Sequence, residues 1–477
     1  MPPRKRSLSS QQDEPEMEDL LKDVEQLPQL RASLLDWYDA NHRVLPWRRN
    51  PHSRLPPSAL AAAAAAGFHP APEGLPLDET IYRTWVCEVM SQQTQVARVA
   101  EYFGRWVARW PRVADLAAAD QDAVNEAWAG LGYYRRARYL LDGARHVARE
   151  CAGAFPRTAA GLLAVPGVGP YTAAAIASTA CGEAVPVLDG NVVRVLTRLL
   201  ARAGDPAAMA PRLTAAAAAL LDPDRPGDFN QAMMELGATV CVPGTAPRCD
   251  ACPLAGRCAA LRRQREHWGE AGPTPGVPGP RVTDYPTKVE KAARREVEVA
   301  VAVLEVRPCC GTGPGMQAFS PAYLLVKRPE KGLLAGLWQF PLAELEGGGE
   351  ESAANQQRAV DSLLAGLLPG LFDESKESTA PKVVSRRALG EVVHIFSHIR
   401  MTIRAEHILV AASAAQLEDW KRGSGRSSEC PECQWLEQEA LDAKGLSSSV
   451  QKVLKLYKSA AKEKRQSITR FFAAKTE

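Results

Sequence analysis

Four cysteines near the middle of the chain have the spacing of metal ligands. They are separated by seven, two and five residues: Cys241, Cys249, Cys252 and Cys258. Four thiols this close in sequence indicate a metal centre, and the spacing admits a four-cysteine zinc site or an iron–sulfur cluster. The later intervals are too compact for two zinc-binding CxxC pairs, which a longer loop normally separates. The pattern therefore favours a [4Fe–4S] cluster over zinc.

A second chemical feature is a glycine-rich turn within LLAVPGVGPYTAAAIAS, residues 162–178. The turn Gly167–Val168–Gly169 lies between two helical patterns, which predicts a helix-hairpin-helix element. Glycines let a backbone approach another molecule closely, and the amides that begin the next helix can bind an anion such as a phosphate. The first turn of that helix carries Tyr171, which is neither a strong nucleophile nor a charge. The element therefore predicts phosphate binding, with a chemical role that depends on Tyr171.

Two carboxylates lie in settings that favour different charge states. Glu88 shares one face of an amphipathic helix with Ile81 and Trp85, and apolar neighbours raise the pKa of a carboxyl group. Asp189 precedes GNVVRVLTRLL, where a helix N-terminus would stabilise the ionised form. From these residues alone, Glu88 could equally face solvent and Asp189 could be an ordinary helix cap.

The elements that must position these residues belong to two domains. Apolar residues recur at helical spacing in the first, and EVEVAVAVLEV alternates with period two, as a half-buried strand does, at the start of the second. A Pro- and Ala-rich stretch at 50–77 predicts a flexible surface insertion. The sequence thus predicts five segments: a disordered segment 1–27, a helical domain 28–261, a linker 262–295, an α+β domain 296–445 and a tail 446–477.

Composition excludes several classes of protein. The 477 residues are 46% hydrophobic and carry a net charge of +3, so the overall charge does not indicate a nucleic-acid partner. No apolar run predicts a membrane helix or a secretion signal. Eleven cysteines in such a chain are expected to stay reduced. Arg4–Lys5–Arg6 fits a short nuclear signal, so we expect a nuclear protein, and a mitochondrial pool is compatible with the sequence.

Six motifs of the helical domain occur together in one known family. They are LPWR, EVMSQQTQV, WAGLGYYRRAR, VPGVGPYTAAAIAS, VLDGNVVRVL and GDFNQAMMELGATVC. In these motifs, and in GLLAGLWQFP and GEVVHIFSHI of the second domain, the chain resembles MutY-type adenine DNA glycosylases of the helix-hairpin-helix superfamily. The resemblance implies an all-α glycosylase domain with an iron–sulfur cluster loop at 241–258 and an α+β MutT/Nudix-like domain. The chain departs from this family in its first cysteine interval, which has seven residues rather than six.

The resemblance also implies the reaction, which is hydrolysis of the N-glycosidic bond of adenine mispaired with 8-oxoguanine or guanine in duplex DNA. It assigns Glu88 as the acid and water activator and Asp189 as the stabiliser of the sugar cation, with Tyr171 and Asn191 beside them. Lyase relatives carry a lysine at the position of Tyr171, whose amine forms a Schiff base with the sugar. A phenol cannot do so, which predicts base removal without strand cleavage.

The resemblance assigns DNA contacts as well. Gln93 and Tyr133 match two residues that wedge into the duplex when the base leaves the stack, although each could equally be a buried packing residue. Arg135 and Arg136, within an arginine-rich segment, are expected to contact phosphates, as are Gly167, Val168 and Gly169 of the hairpin.

In the second domain, Phe396, Ser397 and His398 match the family loop that contacts 8-oxoguanine, and the alternative is a plain strand end. The acidic segment LAELEGGGEESAAN lacks the glutamate pattern with which Nudix hydrolases hold magnesium. We therefore expect this domain to bind without hydrolysing.

The end of the chain, RQSITRFF, resembles a motif that binds the sliding clamp, PCNA. Ile468, Phe471 and Phe472 would fill a hydrophobic pocket of the clamp. Arg465 stands where the motif usually has glutamine, so we expect weak binding. The protein itself is expected to act as a monomer.

Two rival functions remain open at this point. One is a bifunctional glycosylase/lyase of the endonuclease III type, and the other is a non-catalytic scaffold that binds damaged DNA. Tyr171 argues against the first, and the joint presence of Glu88 and Asp189 argues against the second.

Overall fold

A computed structural model describes the chain over these ranges: 27–244, 247–270, 272–288, 293–309, 320–345, 352–372, 381–423 and 431–473. The chain divides into two compact units. The first combines the described residues before Asp120 with those from Tyr139 to 288, and the second combines Asp120–Arg138 with the described residues from 293 onward. Residues 120–138, which the sequence places in the helical domain, thus belong to the unit that contains the sheet.

Helices form the described chain as far as residue 288, apart from turns and loops. They are α1 (Leu27–Asn41), α2 (Pro57–Ala65), α3 (Leu77–Ser91), α4 (Val96–Arg109), α5 (Val113–Ala117), α6 (Gln121–Ala127), α7 (Arg135–Glu150), α8 (Ala159–Leu162), α9 (Pro170–Cys181), α10 (Gly190–Leu199), α11 (Pro206–Leu220), α12 (Pro226–Thr239) and α13 (Ala259–Trp268). Helix α6 and the first turn of α7 belong to the second unit. The other helices belong to the first unit, which confirms its all-α class.

Five helices form the framework of the first unit. Helix α9 packs against α3 and α12, and α12 also packs against α10 and α1. The close approach of α12 to α9 depends on Gly227, since a Cβ atom there would lie 2.6 Å from the carbonyl oxygen of Ser178. The buried residues of α1, α10 and α12 form one apolar core, with Leu34, Leu196 and Leu236 fully buried. This core fixes the relative positions of the helices that carry the candidate site.

Two segments differ from their expected character. The insertion at 50–77 has no buried residue, as expected of a surface segment, but it contains helix α2. The expected linker begins inside α13, and Leu261, Val282 and Tyr285 are buried together against Ala201. These apolar residues are too far apart in sequence to produce a periodic pattern, so their packing could not be predicted from the sequence.

The described part of the second unit contains a mixed seven-stranded sheet. Its strands are β1 (Arg295–Pro308), β2 (Ala322–Lys327), β3 (Trp338–Gln339), β4 (Leu342–Glu344), β5 (Lys382–Ile395), β6 (Ile399–Ala412) and β7 (Cys433–Glu437). Five strands follow the order β3-β2-β1-β6-β5, while β4 also pairs with β1 and β7 with β2. Strands β1 and β6 are parallel, from Arg295 opposite Ile399 to Pro308 opposite Ala412, and the other pairs are antiparallel.

Strand β1 is buried on both faces rather than on one. Val299, Val301 and Val303 join one core cluster, and the alternate residues Ala300 and Ala302 join the cluster on the opposite face. Helices cover the sheet because its centre is apolar on both sides. They are α14 (Ser352–Leu367), α15 (Ala414–Gly423), α16 (Gln438–Ala443) and α17 (Ser448–Ala473).

Helix α17 differs from the separate tail that the sequence predicts. Val450, Val453 and Tyr457 are buried in the core of the second unit. The Tyr457 hydroxyl lies 3.1 Å from Glu305 Oε2, a buried carboxylate of β1. Val450, Val453 and Tyr457 have helical spacing, but the residues around them are rich in lysine and serine. The segment therefore resembles a tail in sequence, although its first half belongs to the fold.

Candidate active site

The predicted hairpin is formed by α8 and α9. Gly167 has a φ of +80°, and a Cβ atom there would lie 2.4 Å from Cβ of Tyr139, so both conformation and space require glycine. Gly169 caps α9 with an ordinary φ of −90°. The Val168 side chain is buried, and its amide donates to the Val165 carbonyl at 3.0 Å. The turn itself thus uses this amide, and the phosphate contact expected of Val168 stays a prediction.

A cavity of about 500 Å³ opens among α3, α9, α10 and α12. The four predicted catalytic residues all line it: Glu88, Tyr171, Asp189 and Asn191. Glu88 comes from α3, whereas the other three come from the consecutive helices α9 and α10, and the packing of α9 against α3 and of α10 against α12 brings them together. The volume lies in the range of small-molecule pockets, so one nucleobase can be accommodated.

Glu88 has the properties of an acid that is poised near neutral pH. Burial raises the pKa of its carboxyl to about 7, and the Asp189 carboxylate raises it further, whereas the Tyr171 hydrogen bond and Arg48 oppose the rise. The Tyr171 hydroxyl donates to Glu88 Oε2 at 2.7 Å. Burial is thus the main cause of the raised pKa, as the apolar face of α3 predicts. At pH 7 both charge states of Glu88 are populated.

Tyr171 itself remains protonated. Burial raises the pKa of its phenol well above the ordinary value, and Glu88 and Asp189 raise it further. Its hydroxyl also lies 3.6 Å from Sδ of Met234. Tyr171 is thus a fixed hydrogen-bond donor to Glu88.

Asp189 is held as a helix cap. Its Oδ1 accepts from the Val192 amide at 2.7 Å, and its Oδ2 accepts from the Asn191 side-chain amide at 2.7 Å. These two bonds fix the orientation of the carboxylate, which lines the cavity.

Two residues that the sequence reasoning missed orient Asn191. Arg194 Nη2 donates to Asn191 Oδ1 at 2.8 Å, which leaves the amide NH₂ group to face Asp189. Gly237 of α12 makes room, since a Cβ atom there would lie 2.6 Å from Cβ of Asn191. A glycine inside a helix is destabilising by about 0.5–1 kcal/mol relative to alanine. Its presence in α12 therefore could have indicated a close contact with another helix.

A buried ion pair forms another wall of the cavity and was also missed. Glu235 accepts from Arg48 Nη1 at 3.0 Å and from Arg43 Nε at 2.7 Å. Burial would raise the pKa of Glu235, but Arg48 and Arg43 hold it at about 2. Arg48 belongs to the LPWR motif, and its Nε donates to Gln231 at 2.9 Å. The pair keeps a cationic group near Glu88 and explains the arginine of that motif.

Of the four cysteines, Cys241 lies beside two arginines of α10. Cys241 follows α12, Cys249 begins a short 3₁₀ turn that ends before Cys252, and Cys258 caps α13. Arg198 Nη1 lies 3.2 Å from Sγ of Cys241, and Arg194 Nε donates to the Cys241 carbonyl at 2.8 Å.

The four thiols are unpaired and partly buried, and they affect one another electrostatically. Burial raises the pKa of Cys252 to about 12 and that of Cys258 to about 11, and neighbouring thiols of the set contribute to both rises. Within the described ranges, no three potential ligands are close enough together to hold a single metal ion.

The two predicted wedge residues are exposed rather than packed. Gln93 follows α3 at the cavity with a φ of +58°, and Tyr133 is 52% exposed with a φ of +47°. Arg135 is exposed, but Arg136 is 6% exposed and donates to the carbonyls of Leu131 and Gly132. The Arg136 guanidinium thus bonds within the loop that presents Tyr133, and its expected phosphate contact stays a prediction.

Phe396, Ser397 and His398 form the tight turn between β5 and β6. The Phe396 amide donates to the Ile399 carbonyl at 2.8 Å, and Ser397 Oγ lies 3.1 Å from His398 Nδ1. Ser397 and His398 are exposed, while Phe396 is partly buried against His394. The turn can thus present a hydroxyl and an imidazole to a ligand.

Other predicted features fall wholly or partly outside the described residues. Arg4–Lys5–Arg6 lies outside them, as does much of the acidic Nudix-like segment. Ile468, Phe471 and Phe472 lie in the backbone of α17, but their side chains are outside the described part. No helix in the described ranges is long and apolar enough to span a membrane.

Comparison with known proteins agrees with this geometry. Residues 86–218 match the family model of the HhH-GPD superfamily base excision DNA repair proteins, and residues 317–456 match that of a NUDIX domain. The chain is 40% identical to adenine DNA glycosylase of Arabidopsis thaliana over 92% of its own length and 65% of the relative. It is 38% identical to adenine DNA glycosylase of Homo sapiens over 92% of its length and 76% of that relative.

Among solved structures, a complex between the C-terminal domain of mouse MUTYH and human PCNA is 27% identical to this chain. The match covers 35% of this chain and 90% of that one, with a TM-score of 0.24. Family membership rests instead on the relatives that match nearly the whole chain. Since the human relative is 38% identical and three quarters of it is covered, the chain belongs to the adenine DNA glycosylase family of base excision DNA repair enzymes.

Proposed function

We propose that this chain hydrolyses the N-glycosidic bond of adenine mispaired with 8-oxoguanine or guanine in duplex DNA, and leaves the sugar–phosphate backbone intact. The observation that carries the proposal is the 2.7 Å bond from Tyr171 to Glu88 in a cavity whose wall also holds Asp189. This constellation supplies a proton donor and an anion, the two requirements for expelling a base from a sugar that becomes cationic.

Glu88 performs both proton transfers. In its protonated form it donates to N7 of the extruded adenine, and the bond between C1′ and N9 breaks with its electron pair passing to the base. The resulting carboxylate then accepts a proton from water as the water oxygen bonds to C1′. A pKa of about 7 suits this cycle, because each charge state is accessible at neutral pH.

Asp189 stabilises the sugar cation between these two steps. The Val192 amide and the Asn191 side chain fix the orientation of its carboxylate, so it need not reorganise as the positive charge develops. Asn191 and Arg194 act through Asp189 and are positioning residues.

Tyr171 favours hydrolysis over lyase chemistry. A Schiff base requires an amine next to the sugar, and Tyr171 offers a protonated phenol instead. No lysine is among the described residues that line the cavity. Water is then the nucleophile.

The four cysteines fit a [4Fe–4S] cluster, which would tie the loop 241–258 to α10 and supply a structural anchor for that helix. The four thiols are partly buried and close enough to affect one another electrostatically, and the compact later intervals favour a cluster over a zinc ion. Iron and sulfide content, together with the sulfur-to-iron absorption band, tests this assignment directly. A zinc content of one per chain without iron would contradict it.

DNA contacts follow the same proposal. Exposed Gln93 and Tyr133 wedge into the duplex beside the extruded base, and the turn with Ser397 and His398 contacts 8-oxoguanine. The double variant Ser397→Ala, His398→Ala is expected to lose the preference for 8-oxoguanine:adenine over guanine:adenine. Equal discrimination by this variant and the wild type would refute the role of the turn.

The Nudix-like domain acts here in recognition and not in hydrolysis. Asp361 of α14 pairs with Arg386, which also lies 3.1 Å from Glu406. The arginine thus occupies the space between these two carboxylates. Incubation with nucleoside triphosphates and magnesium is expected to release no pyrophosphate or phosphate.

The proposal also includes binding to the sliding clamp and a nuclear location. The sequence RQSITRFF supports clamp binding, and Arg4–Lys5–Arg6 supports the nuclear location. A chain that ends at Lys464 is expected to lose the weak affinity for the clamp in a titration. Unchanged affinity would refute the motif.

One experiment tests the central activity. Duplexes with 8-oxoguanine:adenine, guanine:adenine or thymine glycol are incubated with the protein, with and without alkali. We expect adenine release from the first two, and strand breaks only after alkali. Covalent trapping of the protein on DNA by borohydride, or strand cleavage without alkali, would show a lyase instead.

A further inference from the structure

The loop that presents Tyr133 is held rigidly from within. The indole Nε1 of Trp128 donates to the Gly132 carbonyl at 2.9 Å, and Arg136 Nη2 donates to the same carbonyl at 3.1 Å. Trp128 is fully buried, and the Arg136 guanidinium lies 5.6 Å from the centre of the Tyr133 ring. The peptide before Tyr133 is therefore fixed by two donors, while the tyrosine ring projects outward. Such a loop can transmit a displacement of its base to the exposed ring.

The base of this loop is helix α6, and α6 packs on the sheet of the second unit. The indole Nε1 of Trp338 donates to Asp122 Oδ2 in the first turn of α6 at 3.1 Å. Gly445 lies so close to α6 that a Cβ atom there would be 2.7 Å from Cα of Glu126. Trp128, the anchor of the loop, follows α6 directly. The sheet and the Tyr133 loop are thus joined through one short helix.

Trp338 is itself immobilised. It lies on β3 opposite Lys327 of β2, and its side chain is 8% exposed in the apolar core of the unit. The ammonium groups of Lys327 and Lys444 lie 5.5 and 5.7 Å from its ring. An indole has one N–H donor, and here it points at Asp122. The core of the Nudix-like unit therefore fixes the start of α6.

We propose that Trp338 is a positioning residue for the DNA wedge. Through Asp122 it holds α6, and through α6 it sets the position of Tyr133, so the Nudix-like unit that carries the lesion-recognition turn also controls the wedge. The proposal rests on the proposed function, since it takes Tyr133 as the residue that enters the duplex.

The first test is independent of DNA and of activity. Hydrogen–deuterium exchange of the full-length protein reports the opening of residues 128–136. Trp338→Phe keeps the aromatic packing and removes the donor, and Asp122→Ala removes the acceptor. We expect each to raise exchange in this loop about tenfold, the factor expected for losing one hydrogen bond to a charged group. Asp122→Asn keeps an acceptor oxygen and should resemble the wild type.

Trp420→Phe is the matched control. Trp420 belongs to the same unit, is similarly buried, and donates its indole N–H to the Pro369 carbonyl at 3.3 Å. It belongs to the core cluster on the other face of the sheet. This variant should leave exchange in residues 128–136 unchanged. Unchanged exchange in Trp338→Phe and Asp122→Ala, or an equal rise in Trp420→Phe, would overturn the proposal.

The second test measures base extrusion. A duplex with 8-oxoguanine opposite 2-aminopurine becomes fluorescent as the base leaves the stack, and stopped-flow mixing gives the extrusion rate. We expect Trp338→Phe and Asp122→Ala each to slow extrusion about tenfold, and the double variant to be no slower than either alone. Additive effects in the double variant would refute coupling through this bond.

Adenine release by the wild type from 8-oxoguanine:adenine is measured in parallel. If the wild type releases none, the proposed function fails, whereas the exchange data still decide whether Trp338 positions the loop.

Discussion

Replacing Glu88 by glutamine should stabilise the first unit at alkaline pH while abolishing excision. Burial raises the pKa of this carboxyl from 4.5 to about 7 in the folded protein. The unfolded chain therefore ionises Glu88 at a lower pH than the folded chain does. Folding stability is lost as the pH rises from about 4.5 to about 7, and the full loss persists above pH 7. A glutamine does not ionise, so the variant escapes this loss.

The size of the effect follows from the two pKa values. They differ by about 2.5 pH units, and one unit corresponds to about 1.4 kcal/mol. Glu88→Gln should thus raise the free energy of opening by about 3 kcal/mol at pH 8 and by about 1 kcal/mol at pH 5. The amide oxygen can still accept from Tyr171, and its NH₂ group can face the cavity, so the substitution adds little cost of its own.

Native-state hydrogen exchange of the α3 amides measures this free energy without requiring two-state unfolding of both units. Exchange in α3 should be slower in Glu88→Gln than in the wild type by roughly a hundredfold at pH 8, and the ratio should shrink at pH 5. Glu73→Gln, at an exposed position of the surface insertion, is the control and should show no such ratio. Equal α3 exchange in Glu88→Gln and the wild type at pH 8 would refute a raised pKa in the folded state.

Three further predictions test the site. Gly237→Ala should push Asn191 away from its position, because the added Cβ would lie 2.6 Å from that of Asn191. The rate of single-turnover excision should fall at least tenfold. An unchanged rate would refute the packing argument. The excision rate should decline as the pH rises through about 7. Tyr171→Phe should move this decline to higher pH, because it removes a hydrogen bond that favours ionised Glu88. An unchanged pH profile in Tyr171→Phe would contradict this role of the bond. Gly167→Ala should weaken duplex binding several-fold, as measured by fluorescence anisotropy. The φ of +80° at this residue and its contact with the neighbouring helix both exclude a side chain. Unchanged affinity would show that the hairpin does not depend on this glycine.

Arg136 illustrates what a run of basic residues in a sequence does not reveal. Its neighbours are basic, and in a linear sequence it looks like another phosphate ligand. In the folded chain it is buried, and burial lowers the pKa of its guanidinium to about 10. Whether an arginine points outward or into a loop depends on the course of the backbone around Gly130 and Gly132, which both have positive φ values. No periodicity of side chains encodes that course.

The sequence by itself determined the family, the two kinds of domain and the chemical types at the site. Local signals suffice for these features, because a capping aspartate, a glycine hairpin, an apolar helix face and a strand with period two depend on neighbouring residues only. It also predicted the direction of the pKa change of Glu88, since the apolar face of α3 is a local property.

The tertiary structure alone decided which distant groups complete the site. The bond from Tyr171 to Glu88 joins α9 to α3, and the orientation of Asn191 depends on Arg194 and on the close approach of α12 at Gly237. These contacts arise from the packing of whole helices, which is set by the sum of many apolar contacts and by clearances of a few tenths of an ångström. The same reason places residues 120–138 with the sheet: the hydrogen bond from Trp338 to Asp122 spans 216 positions of sequence, and no local pattern connects them.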